Sequence, residues 1–373
     1  MFGKSIRIAR IFGISIELDF SWFIIFFIVA WSLSMGYFPY YYPEIAKKHY
    51  WLMGMIASLL LFLSVLLHEL SHSYIALKNR LPIKSITLFI FGGVATMSEE
   101  PHSPGVEFRV ALAGPACSFF LMFIFKALAI CVPEGSEAYA VFRYAAYING
   151  FLAIFNLIPG FPLDGGRLLR SAMWHFTGDF KRATFTASNI GKGFAFFLIT
   201  LGLLQVVTGN AFNGLWLILI GYFLKNAAAS SYRQVLIKEM ISGLTVEKVM
   251  NRGVISITEN SLLSEVLDDY FVRYHVESFP VLSGERLAGV INMKMVKAVK
   301  KESWGEVRVS DVMTRALDGF VLSPEDSIDF VLRRMVEEGS GWFIVLSERH
   351  EVVGVLTRSD IMHLLKIKSS LDE

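Results

Sequence analysis

A long apolar run that ends in two histidines and a glutamate limits this chain more than any other feature. Trp51 to Leu67, seventeen residues without a charge, lead directly into His68-Glu69-Leu70-Ser71-His72. At 1.5 Å per residue the run is roughly 25 Å long, most of the hydrocarbon thickness of a bilayer. Two imidazoles and a carboxylate are thereby placed inside, or at the inner edge of, a membrane helix. A carboxylate there costs about 2.5–3.5 kcal/mol on insertion scales, and such residues face cavities and carry function. His68 and His72 stand one turn apart on one face, so both rings can reach a single metal ion. Glu69 projects from the neighbouring strip, placed to hold a water beside the metal rather than to ligate. H-E-x-x-H on a helix reads as a zinc hydrolase site, and catalytic zinc requires a third protein ligand.

Composition agrees with a membrane setting: 54% of residues are hydrophobic and 18% charged. The apolar excess ends near Asn226, and the last third has the profile of a soluble domain. A net charge of +2 gives no ground for a nucleic-acid partner. Cys117 and Cys131 are too few for a disulfide framework or a Cys-rich metal site. The basic start (Lys4, Arg7, Arg10) is followed by an apolar segment without a small-residue cleavage signal, which reads as a retained first span.

Six spans are expected, at about Phe20–Met35, Trp51–Leu77, Val106–Val132, Ala138–Ile158, Ile190–Val207 and Ala211–Leu224. Lys4, Arg7 and Arg10 precede the first. Lys78 and Arg80 follow the second, Arg167, Arg170, Lys181 and Arg182 the fourth, and Lys225 the sixth. The opposite connections carry aromatics and acids, with Lys47 and Lys48 as the exception. The positive-inside rule therefore predicts a multi-pass cell-membrane protein with both termini in the cytoplasm. Between spans two and three, Ser85 to Glu100 is β-branched and aromatic, too short to span and interrupted by Gly92-Gly93. It reads as a re-entrant strand or hairpin that protein must cover or a wet cavity must border, with a peripheral amphipathic loop as the alternative. Span three opens with Glu107 and Arg109 at the interface. Its Ala113-Gly114-Pro115-Ala116 reads as close helix packing with a proline kink, without chemistry.

The stretch Asn156-Leu157-Ile158-Pro159-Gly160-Phe161-Pro162-Leu163-Asp164-Gly165-Gly166-Arg167 ends the fourth span. Its prolines and glycines break the helix, and broken backbone at membrane depth is expected only around a water-filled site. Asp164 follows the break: by itself it reads equally as a helix-end or turn aspartate at the interface, and paired with the histidine motif it would complete a His, His, Asp set with an open position. His102 and His175 are the rival ligands, both in polar company outside the spans. Asn156 either hydrogen-bonds the substrate or oxyanion or serves as packing glue between helices.

H-E-L-S-H, F-G-G-V and N-L-I-P-G-F-P-L-D-G together resemble the site-2 protease family of intramembrane metalloproteases. The arrangement is closest to archaeal and bacterial members with a C-terminal pair of regulatory repeats. The resemblance implies Zn2+ held by His68, His72 and Asp164, with Glu69 as general base. It also implies cleavage of a peptide bond in or beside the transmembrane helix of a single-span membrane-protein substrate.

The C-terminal third repeats itself. Val246-Glu247-Lys248-Val249-Met250 recurs as Val309-Ser310-Asp311-Val312-Met313, Phe279-Pro280-Val281-Leu282 as Phe343-Ile344-Val345-Leu346, and Leu287-Ala288-Gly289-Val290-Ile291 as Val352-Val353-Gly354-Val355-Leu356. Each unit reads helix, two short strands, helix. The pair resembles tandem cystathionine-β-synthase (CBS) repeats, at about 244–303 and 307–368, which implies clefts for adenine nucleotide (ATP, ADP or AMP). Thr357 could cap a helix and meet phosphate while Asp360 accepts from ribose hydroxyls, or the two form a capping box and nothing more. Asn292 and Met295 stand at the matching positions of the first repeat, so one competent cleft is expected rather than two.

The expected fold is thus a polytopic α-helical membrane domain (1–226; six transmembrane helices with a re-entrant β segment), a linker (227–243), and an α/β tandem CBS module (244–373). The CBS pair could also form a homodimer. Besides the protease, one other class fits a CBS pair with intramembrane charge: a nucleotide-gated transporter or channel with a non-catalytic metal site. Glu69, which a mere metal site does not need, and the lack of repetition among the spans separate the two.

Overall fold

The computed structural model describes residues 5–371 except 98–99, 275, 277, 285 and 318. Lys4, and Ser98 and Glu99 of the expected re-entrant stretch, lie outside the described residues. The chain divides into two compact units at Val235/Leu236.

The first unit begins with strands where the sequence reading expects only a basic leader. β1 (Ile6–Ile11) and β2 (Ile14–Leu18) form an antiparallel hairpin, turned at Phe12 and Gly13, both at positive φ. In β2 the alternation is plain: Ile14, Ile16 and Leu18 are buried, and Ser15 and Glu17 less so. β2 pairs in parallel with β3 (Ile83–Phe89), which turns into β4 (Gly92–Met97), giving the sheet order β1-β2-β3-β4. Isolated hairpins are marginal in water. The partner that makes strands of residues 6–18 comes some seventy residues later in the chain.

Asp19 ends β2 and caps α1 (Phe20–Ser32), accepting from the Ser21 amide at 2.9 Å. A π-helical turn (Leu33–Tyr37) and α2 (Phe38–Tyr41) extend this rod. α3 (Tyr50–Lys78), α4 (Pro104–Ile130, unbroken at Pro115) and α5 (Glu137–Asn156) follow. α6 (Asp164–Thr177) starts at Asp164 itself, and α7 (Phe180–Val207) starts ten residues before its expected span because Asp179 caps it through the Arg182 amide. The rods Phe20–Tyr41, Lys47–Lys78, Pro104–Ile130, Glu137–Asn156 and Phe180–Val207 are long and apolar enough to cross a membrane. In place of the short sixth span, α8 runs as one helix from Ala211 to Ile241. It is not among the five; Asn213 and Gly214 dilute its apolar part at one end, Lys225 and Asn226 at the other.

The sheet packs on the C-terminal end of α3 and the start of α4. Ile14, Ile83 and Ile86 meet Ala76, Leu81, Val106 and Val110 in one buried cluster. This seats β4 against the H-E-L-S-H turns of α3.

In the second unit the elements are α9 (Val246–Val249), β5 (Ile257–Thr258), α10 (Leu263–Val266), β6 (Ser278–Ser283), β7 (Arg286–Asn292) and α11 (Met293–Lys297). They are followed by α12 (Val309–Val312), β8 (Val321–Leu322), α13 (Ile328–Glu337), β9 (Trp342–Leu346), β10 (Val352–Thr357) and α14 (Arg358–Leu371). Two three-stranded sheets result, β5-β6-β7 and β8-β9-β10, each with one parallel and one antiparallel pair. The repeats are not self-contained helix–strand–strand–helix units. Val246 of α9 is buried in the second repeat's core with Leu322, Phe343 and Leu356, whereas Val309 of α12 is buried in the first repeat's core with Ile257, Phe279 and Ile291. The bridges Asn251↔Val355 and Thr314↔Val290 repeat the exchange in the backbone. A four-residue helix has no core of its own, and each repeat lends its first helix to the other.

Candidate metal centre

α3 brings His68 and His72 to one buried face, at 3% and 4% exposure. The α5–α6 break delivers Asp164 opposite them as the first residue of α6. Asp164 Oδ2 lies 3.0 Å from both Nε2 atoms, which are 3.2 Å from each other. Among the described residues these three form the group of His, Cys, Asp and Glu side chains suited to hold a metal ion. His102 and His175 are exposed and outside it.

The outer hydrogen bonds decide what the inner atoms can do. His72 Nδ1 donates to the Val110 carbonyl at 2.6 Å, because a carbonyl can only accept. In neutral His72 the Nε2 atom then carries a lone pair and faces a carboxylate oxygen with no hydrogen between them. His68 Nδ1 lies 2.9 Å from Ser118 Oγ, a hydroxyl that accepts from it when the ring takes the same tautomer as His72 and leaves Nε2 its lone pair. Converging acceptors with no proton to share suit a divalent cation, and two imidazoles with one carboxylate are a donor set of catalytic zinc.

α4, to which the sequence reading assigned no chemistry, is the element that holds this arrangement. Glu107, Val110, Gly114 and Ser118 follow one another at helical spacing along one stripe. Val110 and Ser118 hold the two histidines. Gly114 lies so close to them that a β-carbon there would collide with the Nε2 atoms of both His68 and His72. Glu107 is fully buried, not interfacial as expected, and accepts from Arg170 of α6: from Nε at 2.7 Å and from Nη2 at the same oxygen. The Arg170 guanidinium also lies over Phe161 and Phe180, at 4.9 and 4.6 Å from the ring centres. Arg170 is 7% exposed, so it is not the interfacial cation counted for orientation. It fastens the helix that begins with Asp164 to the helix that positions both histidines. In the sequence nothing sets this stripe apart from ordinary close packing between helices.

Glu69 is half-buried on the adjacent strip of α3 and makes no hydrogen bond among the described residues, so its carboxylate is uncommitted. Its Cγ faces β4, where a β-carbon on Gly93 would stand 2.6 Å away. Asn156 is the last residue of α5, half-buried, with no hydrogen bond to the cluster among the described residues.

In the second unit Thr357 and Asp360 bond to each other. Asp360 Oδ2 accepts from the Thr357 amide and hydroxyl at 2.8 and 2.7 Å, and the Asp360 amide donates to Thr357 Oγ1 at 3.2 Å. This is a reciprocal capping box at the start of α14. The first repeat has only half of it: Asn292 Oδ1 accepts from the Met295 amide at 3.0 Å.

Comparison with known proteins matches the model of peptidase family M50 at residues 56–137 and 134–200, and that of the CBS domain at 246–300 and 309–367. The sll0528 protein of Synechocystis sp. is 33% identical over 98% of this chain and 97% of its own. Zinc metalloprotease MJ0392 of Methanocaldococcus jannaschii is 30% identical over 99% of each chain. The solved site-2 protease of Methanocaldococcus jannaschii is similar at 34% identity over 62% of this chain and 96% of that one, with a TM-score of 0.46. The chain belongs to peptidase family M50, the site-2 protease family. It is a zinc metalloprotease of that family carrying a tandem pair of CBS domains, which sets aside the transporter and channel class.

Proposed function

We propose that the protein is a zinc-dependent intramembrane endopeptidase that cuts transmembrane segments of single-span membrane proteins. The observation that carries this reading is the meeting of Asp164, at the start of α6, with His68 and His72 of α3, a helix apolar enough to lie in a bilayer, with an uncommitted Glu69 beside them. His68, His72 and Asp164 would hold the metal. Zinc, when bound, acidifies water and polarises a carbonyl. Glu69 takes the proton of the attacking water and returns it to the leaving amide nitrogen. Asn156, at the end of α5, would donate to the substrate or its oxyanion.

A helical substrate hides its carbonyls in its own hydrogen bonds and must unwind before attack. β4 is the last strand of its sheet and lies beside Glu69, so its outer edge suits an extended peptide adding as a further strand. The hairpin is then the re-entrant segment, α8 the sixth span, and both termini face the cytoplasm. Adenine nucleotide at the second CBS repeat, where Thr357 and Asp360 open α14, would regulate cleavage, and the pair would serve as the dimer contact. Co-expression with tagged single-span proteins tests the activity. Loss of a full-length tagged protein with the wild type but not with Glu69→Gln supports it; equal survival with both refutes it.

A further inference from the structure

The stripe of α4 that faces away from the metal centre borders a trough with its own chemistry. Phe108, Arg109, Leu112 and Ala116 of α4, with Ile75 and Lys78 of α3, line a groove of about 540 Å³. From Arg109 to Ala116 it is about 10 Å long at 1.5 Å per residue, and its floor is apolar along that length. Its two cations stand together at one end, and both are exposed. Arg109 Nη2 donates to Asn79 Oδ1 at 2.8 Å, which fixes the guanidinium at the mouth. Neither Lys78 nor Arg109 pairs with a carboxylate among the described residues.

We propose that this trough is a binding site for an anionic phospholipid, with the phosphate between Lys78 and Arg109 and an acyl chain along Leu112 and Ala116. Two cations without an acid at the head of an apolar channel complement an anion that carries a hydrocarbon tail. A substrate helix would fill the trough but leave the cations unanswered. The inference rests on α3 and α4 spanning a membrane and is independent of the metal chemistry. It places a lipid on the outer face of the helix whose inner face holds His68, His72 and Arg170.

The test is native mass spectrometry of the full-length detergent-purified protein with phosphatidylglycerol or phosphatidylcholine added. Phosphatidylglycerol binds in preference, and Lys78→Gln and Arg109→Gln each raise its Kd about fivefold, the effect of one cation near an anionic surface. Ala116→Phe, which leaves both charges in place, weakens binding as well, and glycerol phosphate alone does not displace the lipid. Zinc content stays that of the wild type in the two glutamine variants, which separates this site from the metal centre. Equal binding of the two lipids, wild-type affinity in the doubly substituted protein, or displacement by glycerol phosphate would overturn the proposal. So would a photoreactive group at position 116 that labels a single-span peptide in preference to lipid.

Discussion

Gly93 of β4 and Glu69 of α3 approach so closely that a β-carbon on the glycine would stand 2.6 Å from Glu69 Cγ. This contact ties the edge strand to the proposed general base. Gly93→Val must displace Glu69, the strand, or both. Cleavage of a membrane substrate is expected to slow by at least tenfold, the cost of about 1.4 kcal/mol in the barrier, while zinc content is unchanged. Wild-type rates would mean that the strand edge takes no part.

Gly114→Ala puts a methyl group where the Nε2 atoms of His68 and His72 lie. The expected outcome is a folded protein with markedly reduced zinc, measured by metal analysis after purification. Full zinc occupancy would show that α4 can move away at little cost.

The Glu107–Arg170 pair is buried on both sides, and removing one partner leaves the other charge uncompensated. Either Glu107→Gln or Arg170→Met is expected to destabilise the membrane unit by about 3–5 kcal/mol, whereas the double replacement costs much less than the sum. Denaturation of the four proteins in one detergent measures this coupling. Additive losses would mean that the pair does not join α4 to α6.

Asp360→Ala removes both acceptor bonds of the capping box. It should cost the second unit about 0.5–2 kcal/mol, and it should also lower affinity for adenine nucleotide if the residue serves the cleft. Titration calorimetry with ATP and AMP separates the roles: lost stability with unchanged affinity leaves Asp360 as a cap alone.

What the residues disclosed follows from how local each signal is. His68 and His72 lie one turn apart on a single helix, so their shared face is legible from spacing. Asp164 stands out as a lone carboxylate after a helix break, although only the fold brings it across ninety residues to the imidazoles. The roles of Val110, Gly114, Ser118 and Glu107 were not legible, because a stripe of mostly small or apolar residues on a membrane helix looks the same whether it faces a ligand or another helix. β1 is not legible in the sequence because Arg7 and Arg10 suit a basic leader, and the sheet that holds β1 and β2 is completed by residues 83–89. The exchange of α9 and α12 between the CBS repeats was hidden for a similar reason: a repeat in the sequence shows which segments are alike, not which repeat buries them.

The central claim is that His68, His72 and Asp164 hold one metal ion while Glu69 works beside it. Zinc per chain, measured by inductively coupled plasma mass spectrometry on purified variants, tests it most directly. The account predicts about one zinc in the wild type and in a proteolytically inactive Glu69→Gln, and little in His72→Ala or Asp164→Ala. Full zinc in a folded Asp164→Ala protein would contradict it.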